Sequence, residues 1–303
     1  MKVAVLKGSA VATSAAFVWA TYYVFVPLLH SLDPLTLFFY PSLFGFLLFL
    51  LFGLYSGGRI PLPSKKRDYL LPGMGYFASQ ILIIISTLAN GGVLTSTFIL
   101  LGDTVLSPSI VFALGRNRFR PRLRFLVVGL VVLILSAGML TLFGGYVSLK
   151  SAEGILLLLL IPPSLSVFFV YTNERITDDG MAEILTPAFL VSSVFIVAYA
   201  FISGTAHPVE FGSAYDLFIL FLIGATSMFV GYLLFFKASG MAGFTLSSIL
   251  MALIPPFTMM LGVAFLGLRA TPLSVSLIIL AAVGASLCTV AFAEGGALSR
   301  SRA

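Results

Sequence analysis

Long apolar runs follow one another along the whole chain, separated by short stretches of charged and turn-forming residues. A helix needs about 20 consecutive apolar residues to cross the hydrocarbon core of a bilayer. Runs of this length predict ten membrane-spanning helices, at residues 8–29, 35–55, 69–89, 92–114, 124–143, 152–172, 184–203, 214–236, 243–266 and 272–293. The pattern therefore predicts an all-α polytopic membrane protein, whose first run is a spanning helix rather than a cleaved signal.

The composition agrees with a polytopic membrane protein and argues against a soluble domain. The chain is 59% hydrophobic and only 9% charged, whereas soluble domains are about 25% charged. A single cysteine, Cys288, allows no intramolecular disulfide, and the sequence contains no cluster of cysteine and histidine that would bind a metal. It also lacks a phosphate-binding loop and a hydrolase nucleophile elbow. We therefore expect no metal, no cofactor and no catalytic residue.

Lysine and arginine are distributed unevenly between the two sides of the predicted membrane. With ten spans and a cytoplasmic N-terminus, 15 of the 17 basic residues fall in the cytoplasm, and only Lys150 and Arg269 fall outside. Short loops rich in these residues stay cytoplasmic. The asymmetry predicts a multi-pass protein of the cell membrane with both termini in the cytoplasm. The basic stretch from Arg116 to Arg124 is then a topology signal beside anionic lipids, rather than a nucleic-acid site.

The two halves of the sequence resemble each other at an offset of about half the chain length. Gly92 then matches Gly243, and the small and hydroxyl residues that follow each of them also match. Five spans per half is an odd number, which places the halves in opposite orientations. Inverted repeats of this kind build the midplane site of secondary transporters. We therefore expect two inverted five-helix repeats, at residues 1–146 and 147–303.

One acidic residue lies near the middle of a predicted span. Asp103 belongs to the fourth run, and no other run carries a charge at its centre. An ionised aspartate at this depth costs roughly 2.5 to 3.5 kcal/mol, and such residues face a bundle interior or a water-filled cavity. Low-dielectric surroundings favour the protonated form of a carboxyl group, which suits a group that takes up and releases protons. The alternative, that Asp103 only hydrogen-bonds another helix, stays open.

Further polar and aromatic side chains lie deep within the spans. Ligand cavities are mostly apolar with a few polar groups, so these side chains are candidates to contact a substrate or a coupling ion. Prolines in the fourth and ninth spans remove a backbone donor and allow a bend. The candidate contact residues are Asp103, Trp19, Tyr22, Tyr23, Tyr76, Gln80, Ser96, Thr97, Ser107, Tyr171, Ser247 and Ser248, and the candidate hinges are Pro108, Pro255 and Pro256. For Tyr22 and Tyr23, a place in the interfacial aromatic belt is the alternative.

Several of these features together resemble the ten-helix, EamA-like members of the drug/metabolite transporter superfamily. Trp19 comes late in the first span, and Asp33 and Pro34 precede the second. The fourth and ninth spans each open with small and hydroxyl residues, contain a proline and end in Leu-Gly, and a proline ends the loop that follows. The chain departs from the family where Arg116 and Leu268 replace a common glutamate. Asp103 is not part of the shared pattern.

The resemblance implies two inverted halves around a central cavity, with export or exchange of small metabolites and no bound cofactor. Together with the residues, it predicts a secondary-active carrier, expected to be an exporter, that works by alternating access with a small-molecule substrate and protons as the coupling ion. Monomer and homodimer both stay open. The alternatives are an uncoupled exchanger or facilitator and, in a different class, a membrane-embedded enzyme or lipid scramblase.

Overall fold

Nearly all of the structure that can be described is helical. The computed structural model describes residues 2–29, 31–57, 60–61, 67–90, 95, 106–113, 119–143, 152–176, 180–202, 213–294 and 296–297. Two strands of two residues each, β1 (Phe119–Arg120) and β2 (Gly296–Ala297), pair antiparallel. The all-α polytopic fold predicted from the apolar runs is therefore what the structure has.

The first half contains five described helices. These are α1 (Lys2–Phe25), which continues as a 3₁₀ turn (Val26–Leu29), α2 (Pro34–Gly57), α3 (Arg67–Asn90), α4 (Ser107–Ala113) and α5 (Leu123–Phe143).

The second half contains helices of the same kind, but two of its spans are interrupted. The elements are α6 (Ala152–Arg175), α7 (Met181–Ile202), α8 (Ala214–Ile223), a π-helical segment (Gly224–Gly231), α9 (Tyr232–Ala242), α10 (Phe244–Leu250), a 3₁₀ turn (Met251–Leu253), α11 (Ile254–Leu266) and α12 (Pro272–Ala293).

Local sequence explains where several of these helices begin and end. Asp33 Oδ1 accepts hydrogen bonds from the backbone N–H groups of Leu35 at 2.8 Å and Thr36 at 3.0 Å, which caps α2. Thr271 and Ser274 form a reciprocal capping box at the start of α12. Gly267 ends α11 with φ of 67°, a left-handed conformation that favours glycine.

Seven helices in the described part are long and apolar enough to cross a membrane. They are Lys2–Leu29, Leu35–Gly57, Leu70–Thr87, Met181–Ile202, Ala214–Ala242, Phe244–Leu266 and Pro272–Ala293. They coincide with the predicted spans one to three and seven to ten. Helices α5 and α6 lie at the fifth and sixth, while most of the fourth lies outside the described residues. The count of ten stays a prediction.

Helices α5 and α12 form the most extensive helix pair of the described structure. A Cβ atom on Gly129 would lie 2.7 Å from the Cys288 sulfur, and one on Gly284 would lie 2.7 Å from the backbone nitrogen of Leu133. Small residues allow membrane helices to approach this closely. At one end of the pair, the Arg122 guanidinium contacts a Glu294 carboxylate oxygen at 2.7 Å. We call this helix pair the α5–α12 seam.

Candidate functional site

A small cavity lies among α1, α3, α6, the π-helical segment, α9 and α11. Its volume is about 40 Å³, enough for about one water molecule. Its described lining residues are Trp19, Tyr22, Tyr23, Gln80, Ile83, Leu165, Phe169, Ser227, Met228, Tyr232 and Ile254. None of these residues is charged. We call this space the inner cavity.

Trp19 joins the first helix to the π-helical segment beside the inner cavity. Its indole Nε1 donates a 2.8 Å hydrogen bond to the backbone carbonyl of Ser227. A Cβ atom on Gly231 would lie 2.3 Å from the same nitrogen, so only glycine leaves room for the indole. π-Helical segments are rare and are found frequently at functional sites. The contact fixes the position of Ser227 relative to α1.

Two hydroxyl groups in the inner cavity are buried without a hydrogen-bond partner among the described residues. They are Tyr22 Oη and Ser227 Oγ. Many helical hydroxyls among the described residues bond to a carbonyl one turn earlier, as Thr226 does to Leu222 at 2.7 Å and Ser193 does to Phe189 at 2.9 Å. An unsatisfied buried hydroxyl costs about 1 to 3 kcal/mol. The two groups are thus unsatisfied donors and acceptors that share one cavity.

A layer of aromatic rings closes one side of the inner cavity. Phe169 and Phe235 have ring centroids 4.9 Å apart, Tyr232 and Phe236 stack at 6.4 Å, and Trp19 lies 5.5 Å from Phe235. Offset and edge-on ring pairs of this kind add about 0.5 to 1.5 kcal/mol each beyond burial of area. We call these five residues the aromatic partition.

A much larger cavity is lined by Phe236, one member of the aromatic partition. Its volume is about 1170 Å³, somewhat above the usual range of ligand pockets. Its described lining residues are Phe52, Val111, Asn173, Glu174, Arg175, Ile176, Met181, Leu233, Phe236, Lys237, Ser239, Gly240, Met241, Ala242, Gly243, Phe244, Thr245, Leu246 and Phe292. They come from helix ends rather than helix middles. We call this space the vestibule.

Charged and polar groups on the vestibule wall distinguish it from the inner cavity. Glu174, Arg175 and Lys237 contribute two positive charges and one negative charge. The Arg175 guanidinium lies 5.2 Å from the centroid of the Tyr171 ring, as a cation–π pair. Ser239 Oγ donates to Asn173 Oδ1 at 2.6 Å and links the ends of two helices. The vestibule is therefore suited to hold water and charged solutes.

Residues 152–290 match the model of the EamA-like transporter family. The resemblance predicted from the sequence is thereby confirmed. The matched range contributes Phe169, Ser227, Tyr232 and Ile254 to the inner cavity, while Trp19 and the other lining residues of the first half lie outside it.

Two further comparisons found a relative named as a transporter and a solved structure with the same fold. An uncharacterized transporter from Archaeoglobus fulgidus is 26% identical over 245 residues, which cover 80% of this chain and 83% of that protein. A crystal structure with 16% sequence identity has the same fold, with a TM-score of 0.74 over 94% of this chain and 98% of the other. The chain is a multi-pass membrane protein, and both the family model that it matches and the named relative are those of transporters.

Four of the predicted contact residues lie together in the structure. Trp19, Tyr22, Tyr23 and Gln80 all line the inner cavity, and each is buried. Tyr22 and Tyr23 are 3% and 6% exposed, so their rings do not form a lipid-facing belt. Tyr76 is buried beside the cavity, where its hydroxyl donates to the Met228 sulfur at 2.6 Å. The predictions from the first and third spans therefore converge on one place.

The remaining predicted residues in the described part are spread more widely. Ser107 is buried and donates to Ser166 Oγ at 3.0 Å, which links α4 to α6. Tyr171 is half-buried beneath Arg175, near the vestibule. Ser247 and Ser248 are buried within α10.

The predicted hinge prolines are also buried. Pro255 and Pro256 are in the first turn of α11, directly after the 3₁₀ turn that interrupts the ninth span. Pro108 is at the second position of α4. Asp103, Ser96 and Thr97 lie outside the described residues, so the structure says nothing of their positions.

Several residues of the site were not predicted. Phe169, Ser227 and Tyr232 lie in continuous apolar runs, where one more serine or aromatic ring gives no periodic signal. The one available sign is the pair Gly224 and Gly231, seven residues apart around Ser227. Glycines at this spacing can mark a close helix contact, and Trp19 makes that contact at Gly231.

Proposed function

We propose that this protein is a secondary-active carrier that exports small metabolites or drug-like molecules across the cell membrane by alternating access. The observation that carries the proposal is that the aromatic partition contributes to two cavities: three of its residues line the inner cavity, and Phe236 lines the vestibule. A substrate would enter the vestibule, pass the partition and occupy an inner cavity that widens around it. Opening of the inner cavity past the partition would then alternate with its opening to the opposite side of the membrane.

The proposed architecture is ten helices in two inverted repeats, residues 1–146 and 147–303. The packing of the described helices supports it. Helix α3, the third span, packs against α6 and α7. Its counterpart in the second half is the eighth span, Ala214–Ala242, which packs against α1 and α2. Helices α2 and α7 are counterparts of each other, as are α5 and α12, and the two members of each pair are in contact. A two-fold relation between the repeats accounts for this pattern.

The proposed orientation places both termini in the cytoplasm. The pairing of β1 with β2 joins the loop before α5 to the residues after α12, which supports a position on one side of the membrane for both. The vestibule is lined by helix ends that the distribution of basic residues assigns to the cytoplasm, including those with Arg175 and Lys237. A substrate would therefore load from inside, as export requires.

Reconstituted protein provides the test. Purified protein would first be screened by thermal shift against amino acids, nucleotides, sugars and hydrophobic cations, because a ligand of the folded state raises apparent stability. Stabilising compounds would then be loaded into proteoliposomes. We expect countertransport that depends on the protein and saturates with concentration. Saturable binding without movement across the membrane would contradict a carrier.

The second candidate is an uncoupled exchanger or facilitator. The absence of charge among the described lining residues of the inner cavity favours it. Proton coupling would instead depend on Asp103. Countertransport that persists after both the proton and sodium gradients are collapsed would support the uncoupled function, and accumulation driven by a proton gradient would exclude it.

A further inference from the structure

The inner cavity has polar groups that the packing of the protein leaves unused. Tyr22 and Ser227 are 3% and 1% exposed, and both hydroxyls lack a partner in the described part of the chain. Both residues line the same space of about 40 Å³. A polar cavity of this size holds a water molecule when two or more groups can bond to it. A ligand group that offers the same hydrogen bonds can replace such a water.

The position of Ser227 is held by a contact that leaves its hydroxyl available. Trp19 bonds to the Ser227 carbonyl and packs on Gly231, which fixes the π-helical segment against α1. The neighbouring Thr226 hydroxyl bonds to its own helix, while the Ser227 hydroxyl does not. The segment is thus held by its backbone, and one side-chain donor and acceptor remains on the cavity wall.

The chemistry of the wall restricts what can bind there. The side chain of Gln80, 5% exposed, adds an amide to the two hydroxyls. Each of these groups both donates and accepts hydrogen bonds. Among the described lining residues none is charged, and an unpaired charge is costly to bury. The rest of the wall is aromatic or aliphatic.

We infer that Tyr22 and Ser227 form a hydrogen-bonding subsite for one uncharged polar group of the transported molecule, such as an amide or hydroxyl, attached to an apolar or aromatic body. This inference depends on the proposed function, because a ligand larger than water requires the aromatic partition to open. In the closed state the subsite holds water, which the polar group replaces.

Trp19 makes the subsite directly observable. It is the single tryptophan of the chain, and it lines the inner cavity. Its emission would be followed in full-length protein in lipid nanodiscs during titration with benzamide, benzoate and benzylammonium, which share a ring and differ in charge. We expect benzamide to change the emission saturably, with the two ions at least tenfold weaker.

Two variants test the residues. Tyr22→Phe and Ser227→Ala should each weaken benzamide binding about fivefold, because each removes one hydrogen bond. Both should leave the thermal midpoint of the ligand-free protein unchanged or higher, because each removes an unsatisfied buried hydroxyl. A purely structural role would lower the midpoint instead. Matched controls are Tyr55→Phe, on an exposed ring, and Ser193→Ala, whose hydroxyl already bonds to Phe189. Neither should alter binding.

Each result has a defined meaning. Unchanged benzamide affinity in both variants would overturn the subsite, while countertransport by the same preparation would keep the proposed function. Tighter binding of benzylammonium than of benzamide would overturn an uncharged ligand group and indicate a carboxylate in the cavity. No emission change with any probe would overturn the subsite, and absence of countertransport would separately contradict the proposed function.

Discussion

The inner cavity and the vestibule differ in size and chemistry. The inner cavity is about 40 Å³ and is lined by aromatic rings, aliphatic side chains and uncharged polar groups. The vestibule is about 1170 Å³ and is lined by helix ends, with Glu174, Arg175 and Lys237 on its wall. The charged side chains therefore lie where water can solvate them, whereas the wall of the inner cavity is formed by close packing of uncharged side chains.

This difference means that the two regions should respond differently to substitution. Changes that add or remove bulk around the inner cavity should alter stability or access, because the aromatic rings and helices there pack closely. Changes to charged residues of the vestibule should alter how charged solutes accumulate. Four predictions follow from this contrast, in order of decreasing effect.

The largest effect is expected at the predicted membrane acid. If Asp103 carries the proton, Asp103→Asn should abolish substrate accumulation driven by a proton gradient and leave countertransport intact. Movement of protons during transport would be followed with a pH dye inside proteoliposomes. Asp216→Asn is the matched control, because this carboxylate is near the first turn of α8 and accepts from the Ser213 hydroxyl. Equal proton movement in Asp103→Asn and unaltered protein would reject the role.

Gly231→Ala should be the next most damaging change. The added methyl group would clash with the Trp19 indole, 2.3 Å away, and overpacking of this kind costs about 1 to 3 kcal/mol. The thermal midpoint in detergent should fall clearly. Gly138→Ala is the control, since a Cβ atom there meets nothing within 4 Å. An equal midpoint for both variants would show that Trp19 does not pack rigidly on the π-helical segment.

Opening the aromatic partition should expose the inner cavity to reagents. A cysteine placed by Ser227→Cys, in a Cys288→Ala background, should react slowly with a water-soluble thiol reagent. Adding Phe236→Ala should raise that rate on the order of tenfold, because Phe236 lines the vestibule and stacks on Tyr232.

Two variants complete the test of the partition. Phe236→Leu, which preserves more of the packing, should give an intermediate rate. Phe265→Ala, at a ring that is 68% exposed, should leave the thiol reaction rate unchanged. If neither substitution at Phe236 raises the rate, this layer is not the barrier between the two cavities.

The smallest effect is expected in the vestibule. A cysteine placed by Gly240→Cys, also in the Cys288→Ala background, should react faster with an anionic than with a cationic thiol reagent of equal size. Lys237→Gln should lower that ratio about two- to threefold, and the change should shrink in high salt because exposed charges are screened within roughly 10 Å. Lys2→Gln, on the first turn of α1, should not change it. An unchanged ratio of the two reaction rates in Lys237→Gln would show that this lysine does not contribute to the electrostatic potential in the vestibule.

The sequence was sufficient to predict most of the helices, because crossing a bilayer requires long apolar runs and each run is bounded by charge or glycine. It also named Trp19, Tyr22, Tyr23 and Gln80 as candidates, since a polar group deep in a span must find a protein environment, but only the structure shows that they line one cavity. The interruptions of the eighth and ninth spans were only partly predictable: Pro255 signals one of them, and nothing periodic signals the π-helical segment at Gly224–Gly231.

The aromatic partition was not predicted because its members are ordinary apolar residues at the sequence level. Phe235 and Phe236 are two of 29 phenylalanines, and only the packing of α9 against α1 and α6 distinguishes them. The same limit applies to Ser107, whose partner Ser166 is in another helix. Contacts between distant spans depend on how helices are rotated, and a nearly uniform apolar surface does not encode that rotation.

The α5–α12 seam restricts how the two halves of the chain can move. At Gly129 and Gly284 the partner helices are so close that even a methyl group would not fit, so sliding one helix along the other would force side chains into backbone. Turning one half against the other about a line through these glycines keeps the contact intact. If the protein works by alternating access as proposed, this close contact would serve as the pivot, and its rigidity would let distant surfaces swing apart.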